Sequence, residues 1–164
     1  MSHKNVMIAI ILVLSPWMLN KLFASAPWNA TFGGNWQLNV SESRNGASAP
    51  AAMNIIQTTD SIIIRRTTGD GVSFTERLGV NGRPCSSMTT SGRKKIGSIQ
   101  WDTAKEAFTE TSTLSDVKDS TIVVFDITEH WSLSKEGKKV VEEINISRRD
   151  GNGTMYSTLI FDRP

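Results

Sequence analysis

Residues 33–41 read GGNWQLNVS, and their pattern decides the fold. After two glycines, Trp36, Leu38 and Val40 alternate with Gln37 and Asn39. A period of two puts alternate residues on opposite faces, so the stretch predicts a strand with one apolar side. The same period recurs to the end of the chain. The expected strands are Phe32–Val40, Met53–Thr58, Ser61–Thr67, Val72–Val80, Lys94–Trp101, Glu106–Leu114, Thr121–Leu133, Lys139–Arg148 and Thr154–Phe161, with a weaker one at Ser86–Thr90. Thr-Gly-Asp-Gly, Asn-Gly, Ser-Gly, Lys-Glu-Gly-Lys and Asp-Gly-Asn-Gly separate them and supply turn chemistry. No stretch past the leader keeps helical spacing for three turns.

About eight to ten short strands without a covering helix must hide an apolar face against themselves. An antiparallel up-and-down β-barrel does so and removes sticky edges; a two-sheet sandwich is the competing arrangement. Short connections imply that neighbours in sequence pair in space. The exception is residues 41–52, SESRNGASAPAA, which predict a crossing loop or lid.

Ahead of the strands, residues 1–26 read as a signal peptide. Lys4 precedes an unbroken apolar run of nine residues, Val6–Leu14, and Ala24-Ser25-Ala26 offers a cleavage pattern. Pro27 would follow the cut, so a retained N-terminal anchor is the alternative. The run is shorter than the roughly 20 residues of a membrane span. Residues 27–164 form the expected barrel domain, secreted or periplasmic. Of 18 basic residues Lys4 and Lys21 lie in the leader, leaving 16 against 16 acidic ones. A balanced mature chain argues against nucleic acid as a partner. Cys85 is the single cysteine and His130 the single histidine past the leader, so no internal disulfide, histidine metal centre or triad is expected. No cofactor is expected, and the residues leave the oligomeric state open.

Inward faces carry the functional expectation. Glu76 lies between Phe74 and Leu78, Glu129 between Ile127 and Trp131, and Glu142 between Val140 and Ile144, each in the phase of its apolar face. Glu110 is a fourth at the phase of Phe108 and Leu114. A buried carboxylate must be paired, neutralised or wet. Tight closure at Glu136–Gly137 is expected to set Glu129 nearly opposite Glu142. These glutamates either meet a ligand's hydroxyl, amine or cation, or are answered by Arg65, Arg66, Arg77 or Arg148 near strand ends. The cavity candidates are Phe74, Glu76, Trp101, Phe125, Glu129, Trp131 and Glu142. Arg93-Lys94-Lys95 reads as a solvated cluster where a strand begins.

Phe32-Gly33-Gly34-Asn35-Trp36-Gln37-Leu38 resembles the opening strand of the calycin superfamily, the lipocalins and fatty-acid-binding proteins. That resemblance implies that Gly34 and Trp36 form the barrel floor and that Arg163, in the closing Phe161-Asp162-Arg163, packs over the tryptophan. The chain is also similar to small exported bacterial lipocalin-like domains, which begin G-x-W-x-L-N and end L-x-F/Y-D-R; this implies a barrel and names no ligand. It departs from fatty-acid-binding proteins in having Leu159-Ile160-Phe161 where their Arg-x-Tyr clamp stands, and residues 41–52 are too short for their two helices. The chain ends without room for the lipocalin helix. The expected function is an exported protein that holds a small apolar, amphipathic or lipid-like molecule. The alternatives are a filled barrel acting as an envelope interaction module and an enzyme using a glutamate pair; no catalytic residue is assigned.

Overall fold

The computed structural model describes residues 31–45, 49–80, 82–104 and 106–164. The leader expectation for residues 1–26 lies outside them. Ten strands follow in order: β1 Gly34–Leu38, β2 Ala52–Gln57, β3 Ser61–Thr67, β4 Ser73–Gly79, β5 Cys85–Met88, β6 Lys94–Trp101, β7 Ala107–Ser115, β8 Val123–Leu133, β9 Lys139–Arg148 and β10 Thr154–Asp162. They make one sheet in the order β4-β3-β2-β1-β10-β9-β8-β7-β6-β5, and a β4–β6 pairing closes it. Every neighbouring pair is antiparallel, as short turns demand; the closing bridge Gly79↔Ser98 is parallel. The result is a closed up-and-down barrel, so the sandwich alternative falls.

Two expected inward residues lie outside. Val40 is 76% exposed because β1 stops at Leu38. Asn39 turns the chain there: its side-chain oxygen accepts from Ser41 Oγ and the Glu42 amide, and its carbonyl accepts from the Ser43 amide. Val72 is exposed in the β3–β4 turn.

Closure depends on a glycine. A Cβ at Gly79 would overlap the Arg83 carbonyl, which is backbone and cannot swing aside. The same residue makes the β4–β6 bridge, while the Gly82 amide donates to Ile99 O at 3.0 Å beside it. Gly79→Ala should therefore open this corner and destabilise the protein by about 1–3 kcal/mol, the usual cost of overpacking. A denaturant midpoint equal to that of the unsubstituted protein would show that closure does not depend on this approach.

One end of the barrel is filled with rings. Phe32, Trp36, Phe108, Trp131 and Phe161 are each no more than 1% exposed. Phe32 meets Phe108 edge-on at 5.0 Å, Trp101 meets Phe108 at 5.2 Å, and Phe108 stacks on Trp131 at 5.5 Å. Such offset and edge contacts add roughly 0.5–1.5 kcal/mol per pair to the burial of the rings. Trp36 Nε1 donates to Phe32 O at 2.8 Å, so its one polar atom is satisfied under cover. The Arg163 guanidinium lies 4.4 Å over the Trp36 ring and donates to Gly33 O at 3.4 Å. Gly34 has φ 132°, a backbone conformation that L side chains rarely adopt, and a Cβ there would meet Arg163 Nη1 at 3.2 Å. The opening Gly-x-Trp and the closing arginine thus seal the same end of the barrel.

Candidate functional site

Above the rings, the inward phase changes from apolar to ionic. Going up β8 from Leu133, the inward residues are Trp131, Glu129, Ile127 and Phe125; on β9 they are Val140, Glu142, Ile144 and Ile146. The β8–β9 register pairs Glu129 with Ile144 and Glu142 with Trp131. The two glutamates are therefore one inward step apart, diagonal neighbours instead of the opposed pair the turn suggested. The turn's centre falls between Glu136 and Gly137, which offsets the two residues. Directly opposite Glu129 is Glu110, on β7.

Six charged side chains meet at this level. Glu76, Glu110, Glu129 and Glu142 are joined by Arg66 and Lys95, all no more than 5% exposed. Arg66 Nε donates to Glu76 Oε2 at 3.0 Å, and its two terminal nitrogens fork onto Glu142 at 3.1 and 2.8 Å. Its Nη2 also reaches Glu129 Oε2 at 3.4 Å. Lys95 Nζ lies 3.0 Å from Glu76, 3.2 Å from Glu129 and 2.8 Å from Glu110. Below, the Arg66 guanidinium lies 5.1 Å from the Trp131 ring centre, adding a cation–π contact to its ion pairs.

Four carboxylates facing two cations cannot all stay ionised in a dry interior. Burial and the nearby Glu129 and Glu76 charges push the Glu110 carboxyl up to about 8 against the pull of Lys95. Burial likewise raises Glu142 to about 8; Arg66 opposes this and Glu129 adds to it. Burial also works to raise Glu129, but Lys95 and Arg66 outweigh it and hold that carboxyl at about 2. Glu76 is lowered by the same two cations against its burial. Burial pulls Lys95 and Arg66 down; the surrounding glutamates overcome it and hold both well above their usual values. At neutral pH Glu76 and Glu129 are carboxylates and Glu110 and Glu142 hold protons, with Glu142 hydrogen-bonded to Glu129. The layer is then electrically neutral.

Room for Glu110 comes from Gly97, where a Cβ would sit 3.1 Å from Glu110 Oε1 and 2.9 Å from Ser112 Cβ. Neither Glu110 oxygen has a hydrogen bond of normal geometry among the described residues, and Ser112 Oγ has none either.

A cavity of about 290 Å³ lies over this layer. Its walls are Phe74, Leu114, Ile127, Ile144, Ile146, Met155 and Leu159, and its floor is Arg66, Glu76, Lys95, Glu129 and Glu142. Asn45, Ala49 and Pro50 reach its side. Arg44 and Asn45 are fixed to β10: the Arg44 amide donates to Thr158 O at 2.7 Å and Asn45 Nδ2 to Tyr156 O at 2.7 Å. A larger concavity of about 520 Å³ lies outside the ring-filled end, along the Ser134–Gly137 turn.

Of the seven residues expected around a cavity, the structure brings Phe74, Glu76, Glu129 and Glu142 to it. Trp101 and Trp131 are corrections: both point inward but belong to the ring-filled end, below the ionic layer. Phe125 is a third, because it stands outside the lining, with the Arg93 and Arg148 guanidinium groups each 5.6 Å from its ring. Lys95 lies inside the barrel and not on its surface. The reading as a solvated basic cluster fails because Lys95 shares a face with Gly97, Ile99 and Trp101, and that face is inward. His130 is exposed, in the outward phase. Among the described residues no group of His, Cys, Asp and Glu has the arrangement of a metal centre.

No protein-family model matches the chain, and no curated protein matches its sequence. Its structure is similar to that of zebrafish ileal bile acid-binding protein complexed with cholic acid, with a TM-score of 0.53 and 16% identity, covering 81% of this chain and 98% of that one. The two chains share the fold of a closed antiparallel β-barrel. In this barrel Trp36 and Arg163 stand together at one end. At this identity the likeness carries the barrel and nothing about its contents. What this barrel holds must be argued from its own ionic layer and the space above it.

Proposed function

We propose that the chain is an exported binding protein that holds one small amphipathic molecule above the ionic layer, and that it is not an enzyme. One observation carries this reading. The cavity has a mainly apolar wall, interrupted by Thr89 and Ser157, and a charged floor, and about 290 Å³ is near the lower end of the few-hundred Å³ typical of ligand sites. The wall would take an apolar body, and the floor would orient its polar end. The structurally similar zebrafish protein is a bile acid-binding protein, which supports a binding role for a barrel of this shape. The glutamates serve poorly as an acid–base pair. Each that reaches the cavity is already bonded to Arg66 or Lys95, so none is an unpartnered acid or base.

The test is native mass spectrometry of protein exported by its own host, followed by organic extraction. A bound mass with a recoverable amphipathic compound is expected. Ser157 lines the cavity, and Ser157→Trp should fill the space and weaken binding at least about tenfold while the fold survives. A clean apo mass, with no fluorescence response across a lipid and metabolite panel, would favour a ligand-free interaction module.

A further inference from the structure

The polar end of the ligand can be specified from the partners already present in the floor. This step rests on the binding role proposed above. We propose that the cavity selects a cationic amphiphile, an alkyl- or aryl-substituted ammonium, whose nitrogen sits among Glu76, Glu129 and Glu142.

The first ground is saturation of the cations. Lys95 is enclosed by three glutamates, at 2.8, 3.0 and 3.2 Å, and donates to Glu76 and Glu129. Arg66 makes four donor contacts to three carboxyls. An anionic head group would find neither cation free. It would have to displace a glutamate into a space walled by Ile127, Ile144 and Leu159, leaving a charge unpaired in apolar surroundings.

The second ground is the count of charge. Four carboxyls share two cations, so the site has a deficit of two positive charges, met by two protons. Three of the four carboxyls, Glu76, Glu129 and Glu142, face the cavity. An incoming ammonium can take over one proton's role: the Glu142 carboxyl loses H⁺ to solvent, and the resulting carboxylate pairs with R–NH₃⁺. The layer stays neutral and one proton is released per ligand bound. With a carboxyl raised to about 8, this exchange is open near neutral pH. A neutral hydroxyl could only add a hydrogen bond, and a carboxylate would bring an uncompensated negative charge to a layer that is already neutral.

The apolar lining is the independent observation that this is a ligand site and not a sealed ion network. Phe74, Ile144, Ile146 and Met155 border the space, and Met155 is 63% exposed, which puts an apolar wall at an open mouth.

Isothermal titration with decylamine, decan-1-ol and decanoate, each below its micelle concentration, separates the possibilities. Decylamine should bind at least about tenfold tighter than decan-1-ol, the effect of one opposed charge near a carboxylate, and decanoate weakest. Repeating the amine titration in two buffers of different ionisation heat should show close to one proton released. Glu142→Gln should erase the preference for amine. If that variant does not fold, Glu76→Gln and the wild-type proton count still decide. Equal binding of alcohol and amine, or tighter binding of decanoate, overturns the cationic assignment and leaves the binding role standing. Binding of none of the three overturns both.

Discussion

Arg66→Met is expected to cost about 3–5 kcal/mol of folding stability, the size seen when one partner of a buried ion pair is removed. Arg66 is 5% exposed and is bonded to Glu76, Glu129 and Glu142 at once. Without it, four buried carboxyls share Lys95 alone. Protonation relieves part of the strain, at the expense of hydrogen bonds that the ionised forms accept. Restoring the balance should therefore recover stability. The double variant Arg66→Met with Glu142→Gln removes the fork and one acid together, and should regain more than half of the loss. Surface pairs provide the contrast. Arg148 bonds Asp150 at 2.6 Å, shorter than any contact of Arg66, yet both side chains are about half exposed. Arg148→Ala should leave the denaturation midpoint nearly where it was, since water and salt screen the pair. Urea denaturation at pH 7 measures all three. A loss for Arg66→Met no greater than that for Arg148→Ala would mean that the layer is wet and contributes little.

The barrel was legible because closure and period two are local properties. β3, β6 and β9 begin and end where alternation and turn residues placed them, and the inward phase of Glu76, Glu129 and Glu142 follows from single strands. Height in the barrel is not local. Trp101 and Trp131 face inward as alternation requires, but whether an inward residue lies in the ring-filled end or the cavity depends on how every strand slides against its neighbour. That stagger comes from closing the whole sheet. Lys95 shows the same gap more sharply. Its adjacency to Arg93 and Lys94 and the Ser91-Gly92 turn marked a solvated surface, while its phase with Ile99 pointed inside. The deciding fact is that Glu76 and Glu129, 19 and 34 residues away in the chain, converge on it across the barrel. A lysine at an inward phase on one strand, with unpaired inward glutamates on others, was the signal available.

Thermal stability is expected to fall as pH rises from 5 to 8.5, the reverse of the usual carboxylate behaviour. Glu110 and Glu142 start from ordinary values of 4.5 and are both pushed up to about 8 in the fold. A carboxyl raised by folding keeps its proton in the native state while the unfolded chain loses it. Its contribution is fully present below about pH 4.5 and is lost as pH climbs through about 8. Glu129, held at about 2, and Glu76, also lowered, act in the other direction: their contributions are present above about 4.5 and are lost as pH falls through the depressed values. The exposed Asp60, Asp70, Asp119, Asp126 and Asp150 are lowered as well, so they matter only on that acid side. Lys139 is raised from 10.5 and acts above the window. Between pH 5 and 8.5 the two raised glutamates therefore set the sign. Each unit of pH removes up to about 1.4 kcal/mol per fully affected group, so a fall of at least about 5 °C in Tm is expected across the window. Glu110→Gln keeps the shape and neutrality of the protonated acid and cannot ionise. It should roughly halve the alkaline decline and leave the acid limb unchanged, which calorimetry at closely spaced pH values would resolve. A Tm that rises or stays level from pH 5 to 8.5 would show that the layer admits water or counter-ions and holds its four carboxylates ionised.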